Sequence, residues 1–316
     1  MTIKEIYNLA IQKGIEADFR SKEEIEKMLK KIKEKYEKME SDEKEFFDQE
    51  KLTNPFSDTR ILYGDPNKKV KKVLVGIDIS AGELFLAEKF RNIDLIISHH
   101  PLGKALLGLP DVMHLQIDFL VQYGVPVNIA EKFLKKRIEK VIRRIIPENY
   151  NETVDLARHL DLPLISIHTP GDNLVAKFLK ERFEKNKFFL LEDIIKSLQE
   201  IPEYREATRI GAGPMIFVGN KENRAGKIAP LAITGGTEGA LEIYEKLAIA
   251  GIGTIIGMHL SEIHCEEVEK ANINVVIAGH ISSDSLGMNL FLDELERKNV
   301  EIVSCGGFTR VSRIEQ

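Results

Sequence analysis

Cysteine is scarce in this sequence, so neither a disulfide framework nor a zinc finger is indicated. The 316 residues include two cysteines, Cys265 and Cys305, which are far apart and form no CxxC spacing. A chain of this length can bury one large or two ordinary hydrophobic cores without cross-links. Unpaired cysteines fit a reducing compartment, so we expect a cytoplasmic protein.

Long apolar runs and an excess of positive charge are also missing. No run approaches the roughly 18 apolar residues of a membrane span, and the start, MTIKEIYNLAIQ, lacks the basic leader and apolar core of a signal peptide. The net charge of −5 disfavours a general nucleic-acid binder, since such proteins concentrate positive charge against phosphates. We therefore expect no membrane partner and disfavour nucleic acid as a partner.

The first part of the chain has the signals of charged helices. Thr2 with Glu5 and Ser21 with Glu24 have the spacing of capping boxes, and an apolar stripe at helical intervals follows the second box. We predict that residues 1–64 form a helical extension that packs on the main body or on a neighbouring subunit. A regulatory arm is the alternative.

From Val70 onward, apolar β-branched runs alternate with helical patterns. VKKVLVGIDIS, DLIISHHPL, VPVNIA and PLISIHT are predicted strands of a first series, and a second series begins at GAGPMIFVGN. Such alternation favours parallel sheets covered by helices. We predict two interleaved α/β lobes with mostly parallel sheets in a three-layer α/β/α arrangement. The first lobe comprises residues 65–178 with 280–316, and the second comprises residues 179–279.

Three clusters of histidine and aspartate follow apolar runs. They are His99 and His100 in ISHHPL, His168 and Asp172 in HTPGD, and His280 and Asp284 in AGHISSD. In open α/β sheets, ligands collect outside the carboxyl ends of the strands. Adjacent histidines at a strand end can point toward two neighbouring ions, and a histidine and a carboxylate four residues apart share one face of a helix.

Each cluster taken alone has another explanation. His99 and His100 are alternatively surface or supporting histidines, Asp172 is alternatively the N-cap of the next helix, and Asp284 is alternatively an ordinary helix-start residue. Three strand-end clusters in one chain together favour a metal site.

The order of these motifs resembles the NIF-three-like dinuclear metal-centre family, whose bacterial members include YbgI-like proteins. RILYGDP, VGIDIS, ISHHPL, HTPGDN, ITGGTEG and GHISSD follow one another in the family's order between about Arg60 and Arg313. The resemblance implies two divalent ions per chain, of zinc, iron, cobalt or manganese, with most ligands in the first lobe. The implied ligands are His99, His100, Asp172, His280 and Asp284. The family usually has glutamate at the position of Asp284, which is one methylene shorter.

The resemblance also implies an assembly and an activity. Members form toroidal homohexamers, and some carry the name GTP cyclohydrolase 1 type 2, which implies a metal-dependent hydrolase with a nucleotide or related phosphoester as its small-molecule substrate. Whether this chain is an enzyme stays open, because the alternative is a non-catalytic metal-binding scaffold or regulatory partner-binding protein. We expect His168 to act catalytically beside the ligands, orienting one of them or moving a proton. In IGMHLSEIH, His259 and His264 are not expected to be ligands.

Two further segments have alternative interpretations. ITGGTEG is either a plain tight turn or an anion site whose amides open a helix. KFLKKRIEKVIRR is a basic helix with either a solvated face or a face that steers polyanions toward the metals.

Overall fold

The computed structural model describes residues 1–90 and 92–314, and in that part of the chain the strands form two separate sheets. The strands are β1 (Arg60–Tyr63), β2 (Lys72–Gly76), β3 (Leu95–Ser98), β4 (Leu164–Ser166), β5 (Met215–Val218), β6 (Lys227–Ala232), β7 (Ile252–Gly257), β8 (Asn274–Ile277) and β9 (Glu301–Cys305). The first sheet has the order β1-β4-β3-β2-β9 and the second β5-β8-β7-β6. The edge pairs β1–β4 and β5–β8 are antiparallel and the other pairs are parallel. The predicted α/β fold with mostly parallel sheets is confirmed.

Helices cover these sheets. They are α1 (Ile3–Glu16), α2 (Lys22–Glu37), α3 (Ser41–Glu45), α4 (Ala81–Phe90), α5 (Gly103–Leu107), α6 (Leu109–Val112), α7 (Leu115–Gln122), α8 (Val127–Ile145), α9 (Glu152–His159), α10 (Thr169–Lys185), α11 (Leu191–Gln199), α12 (Pro202–Arg209), α13 (Tyr244–Ile249), α14 (Glu262–Lys270) and α15 (His280–Glu296). Short 3₁₀ turns lie at Gln49–Leu52 and Leu241–Ile243. Across the described ranges, no helix combines the length and the apolar character needed to cross a membrane.

The N-terminal helices form where the capping boxes predict them. Both boxes are closed, at Thr2 before α1 and at Ser21 before α2. The apolar face of α1 packs into the core of the first sheet, so this part of the extension covers the main body. The predicted helical extension nevertheless reaches too far, because β1 lies within it as an edge strand paired with β4. The division into lobes at residues 65–178 with 280–316 and 179–279 stays a prediction.

The segment VPVNIA is not a strand but the beginning of α8. Its valines and isoleucine alternate, which mimics strand periodicity over six residues. Pro126 stands at the N-cap with φ −58°, a value suited to a helix start. From Ala130 onward the buried residues recur at helical intervals through Leu134 and Ile138, so the amphipathic face extends the helix back to Val127.

Helices α10 and α15 pack against each other and join the two cores. Met288 and Phe291 of α15 belong to the core of the first sheet, whereas Leu286 of α15 and Val175 of α10 belong to a core of the second. Their crossing is close at Gly287, where a β-carbon would lie 2.9 Å from the carbonyl carbon of Gly171. The glycine therefore permits the approach that brings the beginnings of both helices together.

Candidate metal centre

The six site residues predicted from the sequence meet at the carboxyl ends of three strands. His99 and His100 directly follow β3, His168 follows β4, and His280 begins α15 after β8. Two of these strands belong to the first sheet and one to the second, so residues that follow strands of both sheets build the site. This is the position at which α/β sheets place their ligand sites.

Local backbone features turn the chain toward this point. Gly279 adopts φ +111°, a left-handed conformation that L side chains rarely adopt, and it connects β8 to α15. His168 occupies the N-cap of α10, so Asp172 lies within the first turns of that helix and is not its N-cap. Asp284 lies inside α15 and is 1% exposed, so the interpretation as an ordinary helix-start residue is also wrong.

Asp172 and Asp284 each stand among imidazole nitrogens. Asp172 Oδ1 lies 3.3 Å from His99 Nε2, and Asp172 Oδ2 lies 3.6 Å from His168 Nε2. Asp284 Oδ2 lies 3.4 Å from Nε2 of both His100 and His280, and its Oδ1 lies 3.5 Å from His99 Nε2. His99 thus stands between the two carboxylates.

Three of the four imidazoles are held in place by a hydrogen bond at Nδ1, the ring nitrogen that does not face the carboxylates. The contacts are His99 Nδ1 to the carbonyl oxygen of Ile167 (3.0 Å), His100 Nδ1 to Asp78 Oδ1 (2.7 Å), and His168 Nδ1 to Asp58 Oδ2 (2.8 Å). Because each acceptor takes the Nδ1 proton, Nε2 is the nitrogen of each ring that faces the carboxylates and is available to a metal ion. Histidines that bind metals in proteins are held in this way by a carbonyl or a carboxylate.

The donor set fits metal ions. The ligand atoms of His99, His100 and Asp284 lie within 4.8 Å of one another, and so do those of His99, His168 and Asp172, so these buried groups can bind metal ions. In the described part of the chain, His99 Nε2, Asp172 Oδ1 and both oxygens of Asp284 are buried without a hydrogen-bond partner. Buried polar atoms normally have partners, and here the orphaned atoms all face one another. Nitrogen and carboxylate donors suit several divalent ions.

The electrostatics also favour a cation. Within the described residues, no lysine or arginine nitrogen lies within 4.0 Å of the Asp172 or Asp284 carboxylates. Burial lowers the pKa of His99, but the charges of Asp284 and Asp172 outweigh it and raise that pKa to about 10. Burial raises the pKa of Asp284, and the surrounding imidazoles hold it far below its ordinary value. Protons and cations therefore compete for the same atoms.

A second cluster of polar side chains lies next to His280, around Glu238 of the ITGGTEG segment. The His259 ring lies 4.8 Å from the His280 ring, and His259 Nδ1 lies 3.8 Å from Glu238 Oε1. Burial raises the pKa of Glu238, but the nearby His259 imidazole and hydrogen bonds from Ser261 lower it to about 2. His264 is a buried helical residue that hydrogen-bonds with Tyr244 (2.6 Å). After this segment the 3₁₀ turn at Leu241–Ile243 leads directly into α13, and the anion site at ITGGTEG stays an untested alternative.

Sequence reasoning missed Asp58 and gave Asp78 no role. Asp58 precedes β1, and the antiparallel register that pairs Arg60 with Ser166 carries it beside His168. Nothing local in PFSDTR marks it, because its role depends on that pairing. Asp78 follows β2 in the same way that the histidines follow β3, and this strand-end position was its only signal.

A comparison with solved structures agrees with this fold. No protein-family model and no curated protein matches the chain. Among solved structures, a NIF3 superfamily protein from Sphaerobacter thermophilus is 28% identical with a TM-score of 0.71, covering 81% of this chain and 94% of its own. More distant are reduced HcgD from Methanocaldococcus jannaschii (18% identity, TM-score 0.49, covering 77% and 87%) and a Bacillus cereus protein related to NIF3 (12%, 0.40, 82% and 92%).

The fold and the site define a class: a two-sheet α/β protein with buried His/Asp groups at the strand ends that can bind metal ions. In fold and sequence the chain is similar to a NIF3 superfamily protein, and this similarity confirms the resemblance to NIF-three-like proteins.

Proposed function

We propose that this chain binds two divalent metal ions and is a metal-dependent hydrolase that acts on a nucleotide or related phosphoester. The ligands of this proposal are His99, His100, Asp172, His280 and Asp284, with His168 as a sixth. The ions are of zinc, iron, cobalt or manganese, since imidazole and carboxylate donors do not distinguish them. The proposal includes the homohexamer and the cytoplasmic location expected from the sequence.

One observation carries the proposal: the orphaned donor atoms form two adjacent groups that share His99. A single ion uses one such group. Two carboxylates that face different sets of imidazoles, with His99 common to both sets, support two neighbouring ions instead. Divalent ions in such a pair supply Lewis acidity, which makes water a nucleophile at neutral pH and stabilises charge that develops on a phosphoryl group.

The chain's own residues divide the remaining work. Asp58 and Asp78 orient His168 and His100. Both nitrogens of His168 face carboxylates, which supports a ligand role over the catalytic role expected from the sequence. His259 is the imidazole beside the cluster that faces neither Asp172 nor Asp284, so we assign it the transfer of a proton to the leaving group.

A turnover assay tests this proposal. Protein loaded separately with each of the four metals is offered GTP, other nucleotides and simple phosphoesters. We expect one pairing to give turnover that Asp172→Ala abolishes together with metal binding. His259→Ala should keep its metal and its KM but lose about a hundredfold in kcat. His159→Ala, at an exposed position at the end of α9, is the matched control and should change neither.

Bound metal without turnover on any substrate would contradict the hydrolase proposal. It would support the alternative, a non-catalytic metal-binding scaffold. Equal loss of kcat in the His159 and His259 variants would contradict the proton-transfer role alone.

A further inference from the structure

A cavity adjoins the metal centre and extends away from it. His168, Asp172, His280 and Asp284 form one end of its wall. The opposite wall is apolar, with contributions from α7, α8, α13 and the second sheet. Its large side chains include Phe119, Leu134, Ile243, Leu247, Ile255 and Met258. A molecule held at the metal centre therefore has an apolar space beside it.

Several other polar side chains of the cavity lining are already bonded within the protein. Gln116 Nε2 donates to the carbonyl oxygens of Gly235 (2.7 Å) and Thr237 (2.6 Å), Thr234 Oγ1 donates to Asn173 Oδ1 (2.7 Å), and the Tyr244 hydroxyl hydrogen-bonds with His264. A polar group of a ligand loses its hydrogen bonds to water when it is buried, and this costs binding free energy unless the protein replaces those bonds. The lining therefore favours a ligand group that has no hydrogen-bond donors or acceptors.

The charge of the cavity excludes an anion from its depth. Its described lining contains no lysine or arginine, whereas Asp172, Glu238 and Asp284 are acidic. Arg137 lies close by, but its guanidinium donates to the main-chain oxygen of Glu238 (2.9 Å) and is not part of the lining. A polyphosphate tail has no counter-charge in this space.

We propose that the cavity binds an uncharged, apolar organic group of the substrate while the substrate's anionic group lies at the metal centre. This inference rests on the proposed function and narrows it. The substrate class becomes an alkyl or aryl phosphoester, and a nucleoside triphosphate is disfavoured. A guanine base is disfavoured as well, because the Gln116 amide nitrogen and the hydroxyls of Thr234 and Tyr244 are engaged with protein partners.

The test uses phosphonic acids as stable probes of the metal-loaded protein. Calorimetry gives the Kd of methyl-, butyl- and hexylphosphonic acid, and of 6-phosphonohexanoic acid, whose tail ends in a carboxylate. Each buried methylene should lower the Kd about fourfold, so the hexyl compound should bind at least about a hundredfold more tightly than the methyl compound. The carboxylate tail should gain little over methyl.

Two variants locate the effect. Ala240 is buried in the cavity wall, and Ala240→Leu fills the space without touching a metal-ligand candidate, so it should abolish the gain with tail length and leave methylphosphonic acid binding unchanged. Ile249 on α13 is 75% exposed outside the cavity, and Ile249→Phe should keep the gain.

A flat series of Kd values, or a gain that persists in Ala240→Leu, overturns the cavity inference and leaves the metal proposal intact. Failure of methylphosphonic acid to bind the metal-loaded protein contradicts the proposed phosphoester hydrolase instead. In that case saturation-transfer NMR with n-hexanol decides the cavity: binding that Ala240→Leu removes supports it, and the absence of binding overturns it.

Discussion

Replacing Gly287 with alanine should force apart the two helices that carry Asp172 and Asp284. The new β-carbon would lie 2.9 Å from the carbonyl carbon of Gly171 and 2.8 Å from Cγ2 of Val175, whereas ordinary contacts begin at 3.4 Å. The shortfall at the carbonyl carbon alone is 3.4 Å less 2.9 Å, or 0.5 Å, and the carbonyl oxygen of Gly171 would lie closer still. Overpacking of this kind costs about 2–3 kcal/mol, and the better helix propensity of alanine returns about 1 kcal/mol. We expect a net loss of about 1–2 kcal/mol in the free energy of unfolding.

Urea unfolding followed by circular dichroism measures this loss, and competition with a chromophoric chelator measures metal affinity. Because the displaced helices carry both carboxylates, affinity should fall about tenfold. Gly82→Ala is the matched control: its β-carbon would meet nothing closer than Ser80 Oγ at 3.7 Å, so stability should be unchanged or slightly higher. Wild-type stability and wild-type affinity in Gly287→Ala would refute the close crossing as the device that assembles the site.

Two further predictions concern the groups behind the metal centre. Asp58→Ala should weaken metal binding about tenfold or more, because His168 loses the partner of its Nδ1; an affinity equal to that of the exposed-site control Asp65→Ala would contradict this role. Glu238 has its pKa lowered from 4.5 to about 2 in the folded chain, so it contributes stability above the unfolded value that is lost as the pH falls toward 2. Glu238→Gln should therefore be less stable than the wild type at pH 6, with a smaller difference at pH 4. A difference independent of pH in urea titrations would speak against the ionised form as the stabilising one.

The fold and the metal centre could be predicted from the sequence where the signals are local. The β-branched run before His99 predicts strand β3, the position where it ends and the residues that follow it. The spacing of His280 and Asp284 places both on one helix face, and His280 Nε2 lies 3.4 Å from Asp284 Oδ2. These features can be predicted because a few neighbouring residues determine where a strand ends and which residues share a helix face.

Other features depend on residues that are far apart in the chain. The VPVNIA segment is too short for its alternation to outweigh the helical pattern that begins at Ala130. Asp58 reaches His168 through the pairing of β1 with β4, which sequence alone does not reveal. The crossing at Gly287 and the cavity beside Leu247 are products of packing between distant elements. Neither leaves a local pattern.

The metal content of the purified protein shows directly whether the chain binds two divalent ions. The protein is purified without chelators or affinity-tag metal, and elemental mass spectrometry counts the ions per chain in the wild type, in Asp172→Ala and in Asp284→Ala. The account predicts about two ions per chain in the wild type and a clear loss in each variant, as expected for a two-metal site. A wild-type protein with almost no metal, or variants that keep all of it, would contradict the account.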